Sequence, residues 1–318
     1  MIKVWLSGAN SQIGKAINDI FCPTDLELFN TDKEEVDVTD LKAVMNFAQV
    51  SRPDIIINCS AITDINLCEK EPKLAFGVNA IGARNLSIAA RKCGAKMVQI
   101  STDDVFDGLS DKPYNEFDVT NPRTVYGKSK CAGEGYVKEF TQRHFIIRST
   151  WVYGEGYNFV NKFIEETKNK SEVTVASDQF GSPTSAEELA KFILHIMTTG
   201  EYGTYHATCK GVCSRFELAE KIAEILGRDV KIHPVPSKDN EFSSFRPAYG
   251  VLDNFIMSIV DVYDFADWES ALAKYLGGIK ESGKERKKEK EIGFNYPDFY
   301  CTCFRCNCWY SFKLSCAR

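Results

Sequence analysis

The stretch KVWLSGANSQIGKAI, residues 3–17, decides the fold. Val4, Trp5 and Leu6 form a short apolar run, Gly8 and Gly14 bracket a polar turn, and Ile13, Ala16 and Ile17 begin an amphipathic segment. An apolar run of this length that stops at a glycine reads as a buried strand, and the spacing after it reads as a helix. Further apolar runs predict strands at 26–30, 55–59, 96–101 and 145–149, with helices at 12–21, 40–51, 73–93 and 126–140 between them. Thr39-Asp40 supplies an N-cap signal for the second helix, and Gly94 a C-cap for the third. Strand and helix in strict alternation predict an α/β fold, a doubly wound parallel sheet of Rossmann type.

After residue 150 the rhythm loosens. Helices are expected at 158–170, 185–198 and 215–226, with β-like pieces at 173–176 and 230–234. The organisation that follows is a nucleotide-binding domain over 1–155, with returning segments near 173–198, and a smaller C-terminal substrate-binding lobe over 156–278. Residues 279–318 are different in kind: a Gly- and charge-rich linker followed by a cysteine-rich end without apolar periodicity, expected to be unstructured.

Composition narrows the function. The chain has 318 residues, 44% apolar and 26% charged, with a net charge of -5, which excludes a disordered, collagenous or disulfide-stapled protein. There is no basic surplus for nucleic acid and no run of ~18 apolar residues for a membrane span, so neither partner is expected for the body. Gly8 interrupts the first apolar run too early for a signal peptide, and a cytoplasmic location is expected. Of twelve cysteines, seven are scattered singly through the body, as reduced, buried thiols would be, and five crowd residues 301–316. The CxCxxCxC run there lacks the loop between knuckles that a tetrahedral zinc site needs, so no metal is expected, and the tail reads as an appendage.

The glycine turn has its own chemistry. A strand running through two glycines into a helix lets the backbone approach a pyrophosphate, held by amide groups and the positive end of the helix dipole. Asp32, eighteen residues after Gly14, stands just past the second strand, where a carboxylate can accept from an adenosine ribose hydroxyl. Its bland alternative is a solvated turn residue. Ser11 occupies the place of the middle glycine, at a penalty of ~1 kcal/mol if that position needs positive φ. Lys33 could meet a 2′-phosphate, which leaves NADH and NADPH unseparated.

A second constellation is Tyr126-Gly-Lys-Ser-Lys130 with Ser101-Thr102-Asp103. Tyr126 and Lys130 share a helix face, and an adjacent ammonium favours the ionised phenol. Thr102, at the carboxyl end of a parallel strand, lies where open sheets bind ligands and can donate to a carbonyl. Alone, YxxxK is a frequent chance match on an exposed helix.

Together with STDDVFDG (101–108), NPRTVYGKSKCAGE (121–134), RSTWVYG (148–154) and DQFGSPT (178–184), these residues resemble the dTDP-4-dehydrorhamnose reductases, a family of extended short-chain dehydrogenases/reductases. The resemblance covers residues 1–278. It implies NADH- or NADPH-dependent reduction of the C4 ketone of a dTDP-linked 4-keto-6-deoxy sugar, with Tyr126 as proton donor, Lys130 on the nicotinamide ribose and Thr102 orienting the carbonyl. It further implies that Gly8, Ser11, Gln12, Ile13, Gly14, Asp32, Asp37, Val38, Ala61, Ile62, Thr63 and Ile100 line the cofactor. Asp103 and Trp151 would touch the sugar, and Arg246 the diphosphate. By residue type alone, Trp151 reads equally well as a core aromatic and Arg246 as a surface ion-pair partner.

Two positions depart from the family pattern: Asp104 stands where a tyrosine is usual, and Ile62 where an aromatic or histidine is usual. Asp103-Asp104 imitates the acid pair of nucleotide-sugar dehydratases, so a 4,6-dehydratase or a related ketosugar reductase is the alternative enzyme. A non-catalytic dinucleotide-binding regulatory subunit is the alternative outside enzymes. A homodimer is compatible with the sequence.

Overall fold

Val4, Trp5 and Leu6 are fully buried at the centre of strand β1 (Ile2–Ser7), as the apolar run requires. The structure is a computed structural model that describes residues 1–21, 26–237 and 247–279. The strands β2 (Leu26–Thr31), β3 (Ile55–Asn58), β4 (Lys96–Thr102) and β5 (His144–Ser149) pair in parallel in the order β2-β1-β3-β4-β5, and Gly203–His206 adds a sixth strand beside β5. Register is fixed by apolar neighbours such as Val4 with Ile55 and Ile100 with Ile147. The sixth strand was not anticipated. Its sequence, GTYH, is a four-residue edge piece with no apolar run to mark it.

Helices α1 (Gln12–Ile20), α2 (Leu41–Ser51), α3 (Ile65–Lys70), α4 (Pro72–Phe76), α5 (Ala83–Cys93) and α6 (Val125–Phe140) follow in the first half of the chain. Asp40 caps α2, its side chain accepting from the Lys42 and Ala43 amides, and Gly94 closes α5 at φ 71°. Trp5, Ile56, Met97 and Ile146 of the sheet pack with Val44 and Ala48 of α2, Leu86 and Ala90 of α5 and Val137 of α6. Helix α1 packs instead against the helix Ala186–Ile196, and neither contributes to that cluster.

The single helix expected over 73–93 is broken into α4, a π-helical turn Gly77–Gly82 and α5, with the short α3 ahead of it. An apolar pattern reports burial and is blind to one inserted residue in the ladder; such π turns occur often at functional sites.

Beyond β5, helices Phe159–Glu166, Ala186–Ile196 and Arg215–Leu226 fall within a few residues of the expected positions. Glu172–Ala176 pairs with Lys231–Val235, and Phe180–Gly181 with both Cys213–Ser214 and Tyr249–Gly250. Residues Met1–Gly277 form one compact unit. Among the described residues no helix is long and apolar enough to cross a membrane, no cluster of His, Cys, Asp or Glu is arranged to hold a metal, and six cysteines are free. The cysteine-rich end lies outside the described residues.

Candidate active site

The strand order places a switch of winding direction between β1 and β3, where open sheets bind ligands beyond the carboxyl ends of the strands. The anticipated site residues stand at these ends: the glycine turn after β1, Asp32 after β2, Ala61–Thr63 after β3, Thr102 and Asp103 at β4, and Trp151 after β5.

At Gly8 the backbone has φ +77°, and a Cβ there would lie 2.5 Å from the Ser60 amide nitrogen, so no side chain fits between β1 and β3. Ser11 is not strained. It has extended geometry (φ -67°, ψ 163°) as the N-cap of α1, accepting from the Gly14 amide at 3.1 Å and donating to the Gly8 carbonyl at 2.7 Å. The expected penalty for a missing glycine is therefore absent, because this turn uses the serine as a cap. Gln12 and Ile13 form the first turn of α1, with Gln12 tied to the Tyr157 carbonyl and to Asn158.

Asp32 accepts from the Asn10 amide at 3.0 Å, and its own amide donates to Glu35 at 2.8 Å. Burial raises its carboxyl above the usual range. Asp37 is held in a local turn by the amide and hydroxyl of Thr39, hydrogen bonds that lower its carboxyl. Val38 is buried, and its carbonyl accepts from Asn85. The loop after β3 is gripped by Asn79, which accepts from the Ile62 amide at 2.8 Å and donates to the Ile62 carbonyl at 3.0 Å and to Ser129 at 2.9 Å. Asn79 sits in the π turn and was not singled out from sequence; a polar residue inside an apolar helical face was the available signal.

Thr102 donates to Asp103 at 3.1 Å and accepts from the Asp104 amide at 3.2 Å, and its hydroxyl lowers the Tyr126 phenol against stronger opposing effects. Burial, then the charge of Asp104, holds the Tyr126 phenol above its ordinary range. The expected lowering by Lys130 is not among the effects that set the phenol, which desolvation of the phenolate leads. Lys130 is buried, and its ammonium donates to the Ile100 carbonyl at 2.6 Å. Burial lowers it to about 8, against the opposing pull of Glu134.

Glu134 in turn accepts from Ser101 at 2.6 Å and from Arg148 at 2.9 and 2.7 Å, an ion pair with both side chains buried. Its position four residues after Lys130 was legible, and its partner on the neighbouring strand was not. Cys59 is no nucleophile, because burial pushes its thiol up to about 12.

Trp151 adopts φ +47°, which is rare for a bulky residue and a mark of local constraint. Its indole is held by Gly181, where a Cβ would come within 2.5 Å of the ring, and by the Arg215 guanidinium, 3.5 Å from the ring centroid. It is half-buried at the strand end. Arg215, missed from sequence, also acts on Asp103, whose carboxyl burial raises. Arg246 lies outside the described residues.

Comparison with known proteins identifies the family. The family model for the RmlD substrate binding domain matches residues 2–280. The chain is 35% identical to the spore coat polysaccharide biosynthesis protein SpsK of Bacillus subtilis, over 87% of this chain and 97% of that one. It is 34% identical to the dTDP-4-dehydrorhamnose reductase of Streptomyces griseus, over 85% and 92% of the two chains. The crystal structure of the Bacillus anthracis dTDP-4-dehydrorhamnose reductase, in complex with NADP, superposes with a TM-score of 0.85 at 38% identity, covering 87% of this chain and 99% of that one. The chain belongs to the dTDP-4-dehydrorhamnose reductase family.

Proposed function

We propose that the protein reduces the C4 ketone of dTDP-4-dehydro-L-rhamnose to the alcohol of dTDP-L-rhamnose, drawing on NADH or NADPH. The observation that supports this reading is that Lys130 donates to the Ile100 carbonyl of β4 and Thr102 at that strand's end acts on the Tyr126 phenol, with a glycine turn after β1 that has no room for a side chain at Gly8. That turn, the N-terminus of α1 and the Asp32 carboxylate fit a dinucleotide's pyrophosphate and adenosine ribose.

When bound, the reduced nicotinamide supplies the hydride that C4 receives. The chain's own residues do the rest. Thr102, its hydroxyl turned from Asp103 to the substrate, donates to the ketone oxygen and holds it beside Tyr126. The raised phenol stays protonated at neutral pH, the form needed by a group that gives a proton to an alkoxide. The Tyr126 O–H bond breaks as the new alcohol O–H forms, and the Lys130 ammonium, one turn along α6, stabilises the phenolate that remains. Trp151, fixed between Gly181 and Arg215, and Asp103 border the sugar, with the segments after residue 155 forming the substrate lobe. Nucleotide sugars and reduced dinucleotides share the cytoplasm, where we place the reaction.

The test is oxidation of NADH or NADPH by the full chain with dTDP-4-dehydro-L-rhamnose, with its D-xylo epimer and other nucleotide-linked ketosugars in parallel. The reading requires turnover with the first substrate to exceed the rest.

A further inference from the structure

Two glycines in register give the small sheet beside Trp151 and Asp103 its shape. Gly181 of the strand Phe180–Gly181 pairs in parallel with Gly250 of Tyr249–Gly250 and, on its other side, antiparallel with Cys213. A Cβ on Gly181 would collide with the Trp151 indole, and one on Gly250 would collide with the Asp103 carboxylate. The two bare positions of the sheet thus make room for these two groups. Arg215 comes from the same sheet, directly after Cys213–Ser214, as the first residue of the helix Arg215–Leu226. Its backbone is fixed by the Ser214–Glu217 capping box and by its amide, which donates to the Gln179 carbonyl at 3.0 Å. From there the guanidinium lies 3.5 Å from the Trp151 ring centroid and 4.9 Å from that of Phe159, and its charge acts on Asp103.

We propose that Arg215 is a positioning residue of the reduction: it anchors the Trp151 indole and balances the Asp103 carboxylate when the Thr102 hydroxyl turns from that carboxylate to the ketone. The proposal rests on the reductase reading and adds a residue to it. Asp103 accepts from the Thr102 hydroxyl at 3.1 Å. A hydroxyl has one proton to donate, so Thr102 cannot serve the ketone and Asp103 together. Asp103 is half-buried, and a sugar seated against it removes water from the carboxylate just as its donor leaves. A carboxylate in that position needs a fixed opposite charge nearby, and a planar guanidinium lying over two aromatic rings is a pre-organised one. The bulky side chain at φ +47° needs an anchor too, and the same guanidinium supplies it.

The experiment is steady-state kinetics of the full chain on dTDP-4-dehydro-L-rhamnose with reduced dinucleotide, alongside binding of the dinucleotide and of dTDP alone. Arg215→Met should lower kcat at least ~10-fold while both affinities change less than ~3-fold. Arg215→Lys, which keeps the charge and loses the planar stack, should recover part of the rate. In an Asp103→Asn background, with no charge left to balance, Arg215→Met should cost no more than ~3-fold. An unchanged kcat, equal losses in the two backgrounds, or a lysine variant no faster than the methionine one would overturn the proposal and leave the reductase reading standing. Binding of dTDP weakened at least ~10-fold by Arg215→Met would also overturn it, by making Arg215 a diphosphate contact. No turnover by the unaltered chain would overturn both.

Discussion

The Lys130 ammonium donates to the Ile100 carbonyl at 2.6 Å, fastening helix α6 to the strand that ends in Thr102. The carbonyl belongs to a residue expected only to line the cofactor. Its hydrogen bond makes the reach of Lys130 a property of the sheet, so the charge of this one group should govern the rate at high pH.

The sign follows from the lowered value. Burial holds Lys130 at about 8, and the ammonium is the form present below that pH. Turnover should therefore be level through neutral pH and fall as pH rises through about 8. Glu134 pulls the value upward, so Glu134→Gln should move the falling limb to lower pH. A limb unmoved by that substitution would assign the pH dependence to another group.

Tyr126→Phe removes the proton donor while keeping the ring. Turnover should drop by at least ~100-fold with dinucleotide affinity nearly unchanged, measured by steady-state kinetics alongside binding titration. Equal losses in both would mean that the tyrosine serves the fold or the cofactor and not the proton.

Gly8→Ala tests the turn. A methyl group would meet the Ser60 amide nitrogen at 2.5 Å in a left-handed backbone conformation. The expected loss is roughly 1–3 kcal/mol of stability with at least ~10-fold weaker dinucleotide binding, read by urea unfolding and titration.

Arg148→Met leaves the Glu134 carboxylate buried without its ion-pair partner. Removing one partner of such a pair costs ~3–5 kcal/mol, whereas the double variant Glu134→Gln/Arg148→Met should recover part of it. Urea midpoints of the three chains settle the comparison.

Much of this was legible in the sequence because strands buried on both faces must be written in apolar runs, as β1, β3, β4 and β5 are, while the edge strand β2 still carries Leu26, Leu28 and Phe29. Gly203–His206 escaped because this edge strand is four residues long with only Tyr205 to mark it. The π turn at Asn79 escaped because periodicity reports which face is buried and not how the ladder is closed. Thr102, Tyr126 and Lys130 were proposed from spacing along the chain. Glu134 with Arg148, and Trp151 with Arg215, are pairings between different elements that only the assembled sheet brings together. Ser11 shows the reverse error: a glycine was expected by analogy, where a capping side chain does the work.

The most direct measurement of the central claim follows the hydride. With reduced dinucleotide carrying deuterium at the transferable position and dTDP-4-dehydro-L-rhamnose as substrate, the account predicts one deuterium per product, at C4 of dTDP-L-rhamnose, with equal loss from the dinucleotide. Deuterium at another carbon of the sugar, or unlabelled product with the dinucleotide unconsumed, would contradict it.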